Sequence, residues 1–427
     1  MQHPTPRCLS VAAGLALAAC AAPALAQAQL DTSNPYYFGA NAGLTYVSNV
    51  FHQNSGANHD EVLSTGLLGG IDTRFGREHL RADASVGYSR YRNNSQLDNL
   101  GYTGSLALDW STVERISGTI SVGGSRQLAD YNISPDLTPV YAKNTVTTSF
   151  IDAATRIGLV TRWSLDTDVS YRRYRYSAPE YASLNYQQVA YSAGPSYQAN
   201  PDLRIGVDIR RTNGTYPTYF PIADPAHPLP SDPLHLAGYD PNHFSRDDYD
   251  LTVRWRVGGA SVLDGRVSHG SYAHADSAGQ TVSGFSGALT WTWDPTGKLS
   301  VVSSYIHDTG LNAYLFTGAG LTYGTSQNTL TDTLQSNATY RLTGKVNLLA
   351  GLTYARTRRE NAVVLNTFNN AANSHDNFSA LSLGVNWQYS RGISVACQAA
   401  HQVRNSTVTS YTYDADSIGC NAQILFY

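Results

Sequence analysis

The chain of 427 residues is short of the residues that build helices. It holds five glutamates and three lysines, against 27 aspartates and 26 arginines, and a single methionine. Glu, Lys and Met are strong helix formers, so a helical domain is not expected. Charged residues make up only 14 % of the chain and the formal net charge is −3, which leaves out the basic footprint of a nucleic-acid binder. After residue 26 no uninterrupted apolar run approaches the roughly 18 residues of a membrane-spanning helix. Aromatics, at 11 %, are too many for a disordered chain. What is abundant is tyrosine (29) and glycine (36), residues of strands and turns. An all-β protein remains.

The first 26 residues read as a secretory signal. Arg7 precedes an apolar stretch running to about Cys20, Pro23 breaks it, and Ala24-Leu25-Ala26 offers a small-x-small cleavage site. Residues 27–427 would then be the mature barrel domain. A second reading stays open, in which Leu17-Ala18-Ala19-Cys20 is a lipoprotein signal and Cys20 becomes the lipidated N-terminus.

Period-2 alternation bounded by turn residues marks 18 strands, with sixteen as the alternative count: 36–48, 61–73, 79–92, 100–113, 115–127, 145–160, 162–176, 185–198, 203–215, 245–258, 261–275, 279–293, 298–310, 330–343, 346–358, 376–390, 392–405 and 413–427. Most run well beyond the soluble mode of about five to six residues and suit a tilted transmembrane strand with a projecting end. Ile205, Val207 and Ile209 alternate with Arg204, Asp208 and Arg210, and Leu251, Val253 and Trp255 with Thr252, Arg254 and Arg256. A soluble sandwich also alternates. The connections discriminate: tight joins such as Arg74-Phe75-Gly76-Arg77 and Asp294-Pro295-Thr296-Gly297 alternate along the chain with longer ones at 49–60, 128–144, 216–244, 311–329 and 359–375. An up-and-down outer-membrane barrel has short periplasmic turns and long outer loops. An even strand count then places both termini on the periplasmic rim.

Tyr88, Tyr91, Tyr171, Tyr174, Tyr176, Tyr272, Tyr305 and Tyr354 fall at strand ends leading to long loops, where an outer aromatic girdle is expected. The chain closes on an aromatic, Tyr427, yet the alternation puts Ile418, Cys420, Ala422, Ile424 and Phe426 on the lipid face and Tyr427 on the other, so this register is open by one residue.

The opposite face collects the lumen-lining candidates Arg81, Asp83, Arg156, Arg172, Arg204, Asp208, Arg210, Arg254, Arg256, Arg266 and Arg341, together with Arg162, Arg404, Asp72, Asp109, Asp152, Asp166, Asp168, Asp250 and Asp264. Either these charges pair across strands, or the arginines form a ladder for an anionic or hydroxyl-rich solute. The proline-rich loop 216–244, with seven prolines in 29 residues, is expected to be stiff and extended, either turned into the mouth or facing outward. Cys397 and Cys420 are centred on the last hairpin loop, which places them opposite one another as a candidate cross-strand disulfide; the alternative is two reduced, lipid-facing thiols. His59-Asp60, His307-Asp308 and His375-Asp376 are adjacent pairs without a nucleophile or carboxylate partner at catalytic spacing, so no enzyme activity is expected. Neither metal-ligand spacing nor a phosphate-binding glycine motif occurs, and no cofactor is expected.

The segment Thr45-Tyr46-Val47-Ser48-Asn49-Val50-Phe51 resembles the motif ending the first strand of outer-membrane barrels encoded with exopolysaccharide biosynthesis, of the β-barrel porin type. Arg74-Phe75-Gly76-Arg77 with Leu80, Ala82 and Asp83, then Tyr88, Leu97-Asp98, Tyr102 and Trp110, and Arg162-Trp163-Ser164-Leu165, are similar to that family too. The chain departs from it at Phe51-His52-Gln53. The resemblance implies export, or assistance in export, of a polysaccharide, with outer-membrane lipid, the polymer and periplasmic or inner-membrane synthesis proteins as partners. The residues by themselves leave a general or sugar-uptake porin, or a closed structural or adhesive barrel, as alternatives.

Overall fold

A computed structural model of the chain describes residues 34–112, 115–129, 141–158, 162–223, 236–274, 281–318, 321–362 and 374–427. The signal segment, Cys20 and the tips of several long connections lie outside these residues. The described chain forms 18 antiparallel strands: β1 (Tyr36–Val47), β2 (Asp60–Phe75), β3 (Glu78–Tyr91), β4 (Asn99–Ser111), β5 (Ile116–Leu128), β6 (Thr145–Gly158), β7 (Trp163–Tyr176), β8 (Tyr186–Asn200), β9 (Leu203–Ala223), β10 (Leu236–Val257), β11 (Ser261–His274), β12 (Thr281–Trp293), β13 (Leu299–Gly318), β14 (Leu321–Arg341), β15 (Val346–Ala362), β16 (Ser374–Gln388), β17 (Ile393–Ser406) and β18 (Tyr413–Phe426). Each pairs with its sequence neighbours, and β18 returns to β1, with Phe38 opposite Phe426 and Tyr46 opposite Ile418. Closure leaves no sheet edge, and both ends of the barrel sequence lie on the short-turn rim. Short 3-10 helices, Ser95–Leu97, Pro179–Leu184 and Thr409–Tyr411, occur only in the longer connections among the described residues.

Turn chemistry matches the alternation of joins. Gly76, Gly258 and Gly259 adopt positive φ (65°, 59° and 75°) in two short turns, a conformation that side chains with a Cβ disfavour.

Two segments depart from the expected loops. Residues 216–223 and 236–244 continue β9 and β10 beyond the barrel wall, and 311–318 and 321–329 continue β13 and β14. The flanks of the proline-rich stretch are therefore hairpin, and its centre, 224–235, lies outside the described residues. Proline is accommodated because the pairing slips: the β9–β10 register shifts between Asp240 and Asn242, around Pro241, where no ladder donor is required.

Alternate residues point out and in. The outward set is apolar and exposed, for example Leu67, Ile151, Val207, Ile209, Leu251, Val267 and Leu383. A surface of this kind is stable against hydrocarbon, not against water. Ile418, Ile424 and Phe426 are exposed while Gln423 and Leu425 are buried, which settles the final strand in the register with Tyr427 on the inner side.

All six tryptophans, Trp110, Trp163, Trp255, Trp291, Trp293 and Trp387, lie within a few residues of the short-turn rim. Tyr46, Tyr88, Tyr102, Tyr191, Tyr249, Tyr305 and Tyr354 are exposed toward the opposite end of the same face. On β4, Trp110 and Tyr102 are eight residues apart. At about 3.3 Å per residue and a tilt of roughly 40° that is about 20 Å of height, close to the apolar band of an outer-membrane barrel. The chain is such a barrel and resides in the outer membrane.

Candidate functional site

The candidate site is the inner wall. Its residues are placed by strand parity: even-numbered on β6 to β13, odd-numbered on β3 to β5, β14, β15 and β18. Arg81 bonds Asp109 at 2.8 Å, and Tyr37 donates to Asp83 at 2.8 Å. Arg156 holds Asp166 through two nitrogens, at 2.8 and 3.1 Å. Arg204 reaches the same carboxylate at 3.6 Å and donates to Ser196. Arg172 bonds Asp152 at 2.8 Å and lies over the Phe150 ring. Asp208 stands between Arg204 and Arg210 on the inner face of β9.

The densest part spans β9 to β13. Arg210 contacts Asp250 at 2.9 Å and Asp248 at 3.1 Å. Arg246 contacts Asp248 at 2.9 Å, Asp308 at 3.2 Å and Ser286 at 2.8 Å. Arg266 projects into the same cluster, within electrostatic reach of Asp248, Asp250 and Asp308. Asp248 is completely buried and Asp250 nearly so, so these charges stand only because each has opposite-sign partners. Three of the arginine candidates sit lower or looser. Arg254 is 3.6 Å from Asp264, while Arg256, 3.5 Å from Asp202, and Arg341, which faces the Gly297 carbonyl, lie at the short-turn rim.

The paired charges run along the inner face from β2 to β13. Across the barrel the inner face carries Thr331, Thr333, Gln335, Asn337 and Thr339 on β14, then Ser382, Asn386, Gln398, Gln402, Ser417, Asn421 and Gln423 on β16 to β18. Arg404 with Asp376, at 2.8 Å near the loop end, is an ion pair of that side. The lumen thus has a longer arc of paired charges, β2 to β13, and a shorter one, β14 to β18, mostly of neutral hydroxyls and amides.

Four of the girdle tyrosines are misplaced by position alone. Tyr174, Tyr176 and Tyr272 share the inward parity of Arg172 and Arg266, and Tyr91 packs against Val50, Phe51 and Leu97 at the rim. Tyr174, Tyr186, Tyr216, Phe244 and Tyr272 form an inward row over five successive strands, with centroids 4.8, 5.8, 5.4 and 5.4 Å apart. A strand end says nothing of the face; only parity does. The same rule separates the adjacent His–Asp pairs: His307 bonds Asp332 at 2.7 Å on the outer face while Asp308 binds Arg246 inside.

Cys397 and Cys420 are register partners on the outer face, with sulfurs 2.09 Å apart. The segment that carried the family resemblance closes the rim. Asn49, almost fully buried, donates to the carbonyls of Gln53 and Asp414, the Ser48 hydroxyl accepts from the Asp416 amide, and His52 stacks on Tyr413 at 4.2 Å. Beside it, the buried Asp60 carboxylate accepts from the amides of Glu61, Arg92, Asn93 and Asn94 and from the Asn94 side chain. Neither anchor is visible in the periodicity.

No family model matches the chain, and no curated protein matches it. Solved structures do. OpdL of Pseudomonas aeruginosa aligns over 92 % of this chain and 98 % of its own at 12 % identity and a TM-score of 0.43. OccK3 (OpdO) of the same species aligns over 92 % and 95 % at 11 % identity and a TM-score of 0.42. The FrpB iron transporter of Neisseria meningitidis aligns over 92 % and 82 % at 10 % identity and a TM-score of 0.43.

Proposed function

We propose that the protein is a porin: a passive path for small, polar, hydroxyl-rich solutes, with its short-turn rim and both termini in the periplasm. The observation that carries this reading is the split inner wall. Its arginines face aspartates, so the charged side has little net field to reject either sign of ion. The neutral side offers alternating donors and acceptors to sugar-like hydroxyls. This pairing supports weak ion selectivity rather than an anion-handling arginine ladder.

The purified protein in a planar bilayer is expected to give ohmic conductance with cation and anion permeabilities within about threefold. Proteoliposomes should swell in small sugars. A bilayer that stays silent at saturating insertion would refute passage and favour the closed barrel.

Polysaccharide export is a second reading. It rests on the short motifs between Thr45 and Leu165, without a matching family model. A deletion strain separates the two: loss of surface polysaccharide with intact precursor synthesis supports export, and normal surface polysaccharide with reduced sugar uptake supports the porin.

A further inference from the structure

Three strands repeat one pattern at the upper edge of the apolar belt: Tyr88-Ser89-Arg90-Tyr91-Arg92, Tyr171-Arg172-Arg173-Tyr174-Arg175 and Tyr354-Ala355-Arg356-Thr357-Arg358. Parity puts the leading tyrosine and both following arginines of each on the outer face, and all six arginines are exposed. Arg92 is held by Glu61 at 2.7 Å. Arg173 and Arg175 make no ion pair among the described residues.

The β7 copy has a second feature beside it. A groove of about 530 Å³ runs over the outer face of β7 to β11. Its upper row is Gln187, Thr215 and His243, ladder partners in turn, with the Thr215 hydroxyl 3.0 Å from His243 Nδ1; Arg173, the ladder partner of Gln187 on β7, borders that row. The row below runs through Tyr171, Val189, Asn213 and Ser245. The next row down runs Val169, Tyr191, Arg211 and Asp247, the last two an exposed pair 3.6 Å apart, and below it the wall turns apolar at Ile209 and Leu251. From top to bottom the outer face therefore offers guanidinium groups, a cleft of mixed polar and apolar groups with hydroxyl, amide and imidazole among them, the Arg211–Asp247 pair, then hydrocarbon.

We infer that this face binds a phosphorylated glycolipid of the outer leaflet. The phosphate lies on Arg173 and Arg175, the sugar lies in the cleft against Gln187, Thr215, Asn213 and His243, and the acyl chains run down the apolar belt. A phosphate is the anion that the planar arginine fork matches with two parallel hydrogen bonds, and arginine at the headgroup level gains from an anionic lipid surface. A plain phospholipid would use the arginines and leave the cleft unfilled. The inference takes from the reading above only that the long-loop rim faces outward. Lipid retention in detergent is scored without conductance, so either can fail alone.

The test is native mass spectrometry of the full-length protein in detergent. The probes are a monophosphorylated glycolipid, its dephosphorylated form and phosphatidylglycerol. The phosphorylated glycolipid is expected to be retained at least about tenfold better than either other probe, and the double variant R173Q/R175Q to lose that excess. Both residues face away from the lumen, so the variant keeps the wild-type heat-modifiable gel shift and conductance, which verifies its fold. Equal retention by wild type and variant, or equal retention of phosphatidylglycerol, overturns the inference.

Discussion

Asp247 and Asp248 are chain neighbours on β10 with opposite surroundings, and truncating each in turn tests the account of the inner wall. Asp248 is fully buried and holds two guanidinium groups, Arg210 at 3.1 Å and Arg246 at 2.9 Å. Asp248→Ala removes the carboxylate and leaves both cations in the wall with Asp250 and Asp308 as their remaining partners. Breaking a buried pair in this way costs about 3–5 kcal/mol. Asp247 points outward, about half exposed, and its arginine, Arg211, is 3.6 Å away. Loss of a solvent-screened pair of that kind costs roughly 0–1 kcal/mol. The measurement is urea unfolding of detergent-folded protein, followed by tryptophan fluorescence. The expected result is a midpoint clearly lowered for Asp248→Ala and nearly unchanged for Asp247→Ala. The same Asp248→Ala variant should tilt the bilayer permeability ratio toward anions, because two arginines gain net positive field. Equal destabilisation by the two variants would refute the assignment of faces on β10, and with it the buried network.

Further outcomes follow from other parts of the barrel. Unreduced protein is expected to show no free thiol from Cys397 and Cys420, and C397S/C420S to lose about 3 kcal/mol, as expected for opening a loop of this length; two free thiols in a quantitative thiol assay would rule the bond out. Asp60→Ala should destabilise by about 2–4 kcal/mol, since it takes the acceptor from the amides of Glu61, Asn93 and Asn94 at the rim while that of Arg92 keeps the Glu61 carbonyl, and should speed proteolysis within 48–59 relative to wild type. Because all six tryptophans sit at one rim, lipids brominated near the headgroup should quench emission more strongly than lipids brominated at the chain ends; equal quenching at both depths would contradict the single row.

Much of this barrel is legible in the sequence because a membrane strand is a local object. Side chains alternate with a period of two, hydrocarbon rejects polar groups residue by residue, and tight turns need glycine or proline at particular positions. The strand count, the outward belt of Ile205, Val207 and Ile209, and the opposition of Cys397 to Cys420 all follow from neighbours in the chain. The extent of β9, β10, β13 and β14 does not, because proline and polar residues read as loop, and only a paired partner strand keeps them extended.

The inner wall is the converse case. Periodicity picks out Arg210, Asp250 and Arg266 for the lumen side but not Arg246, Asp248 or Asp308, and Arg246 meets a carboxylate 62 residues away. That contact depends on strand tilt and register around the closed sheet, which no local pattern records. So do the partners of Asp60 at the rim and the inward turn of Tyr174 and Tyr272. The sequence by itself determined the class of structure and, along most strands, which residues share a face. Tertiary structure alone decided which charges compensate one another, and therefore that the arginines of this lumen are paired with aspartates rather than left as an open cationic track.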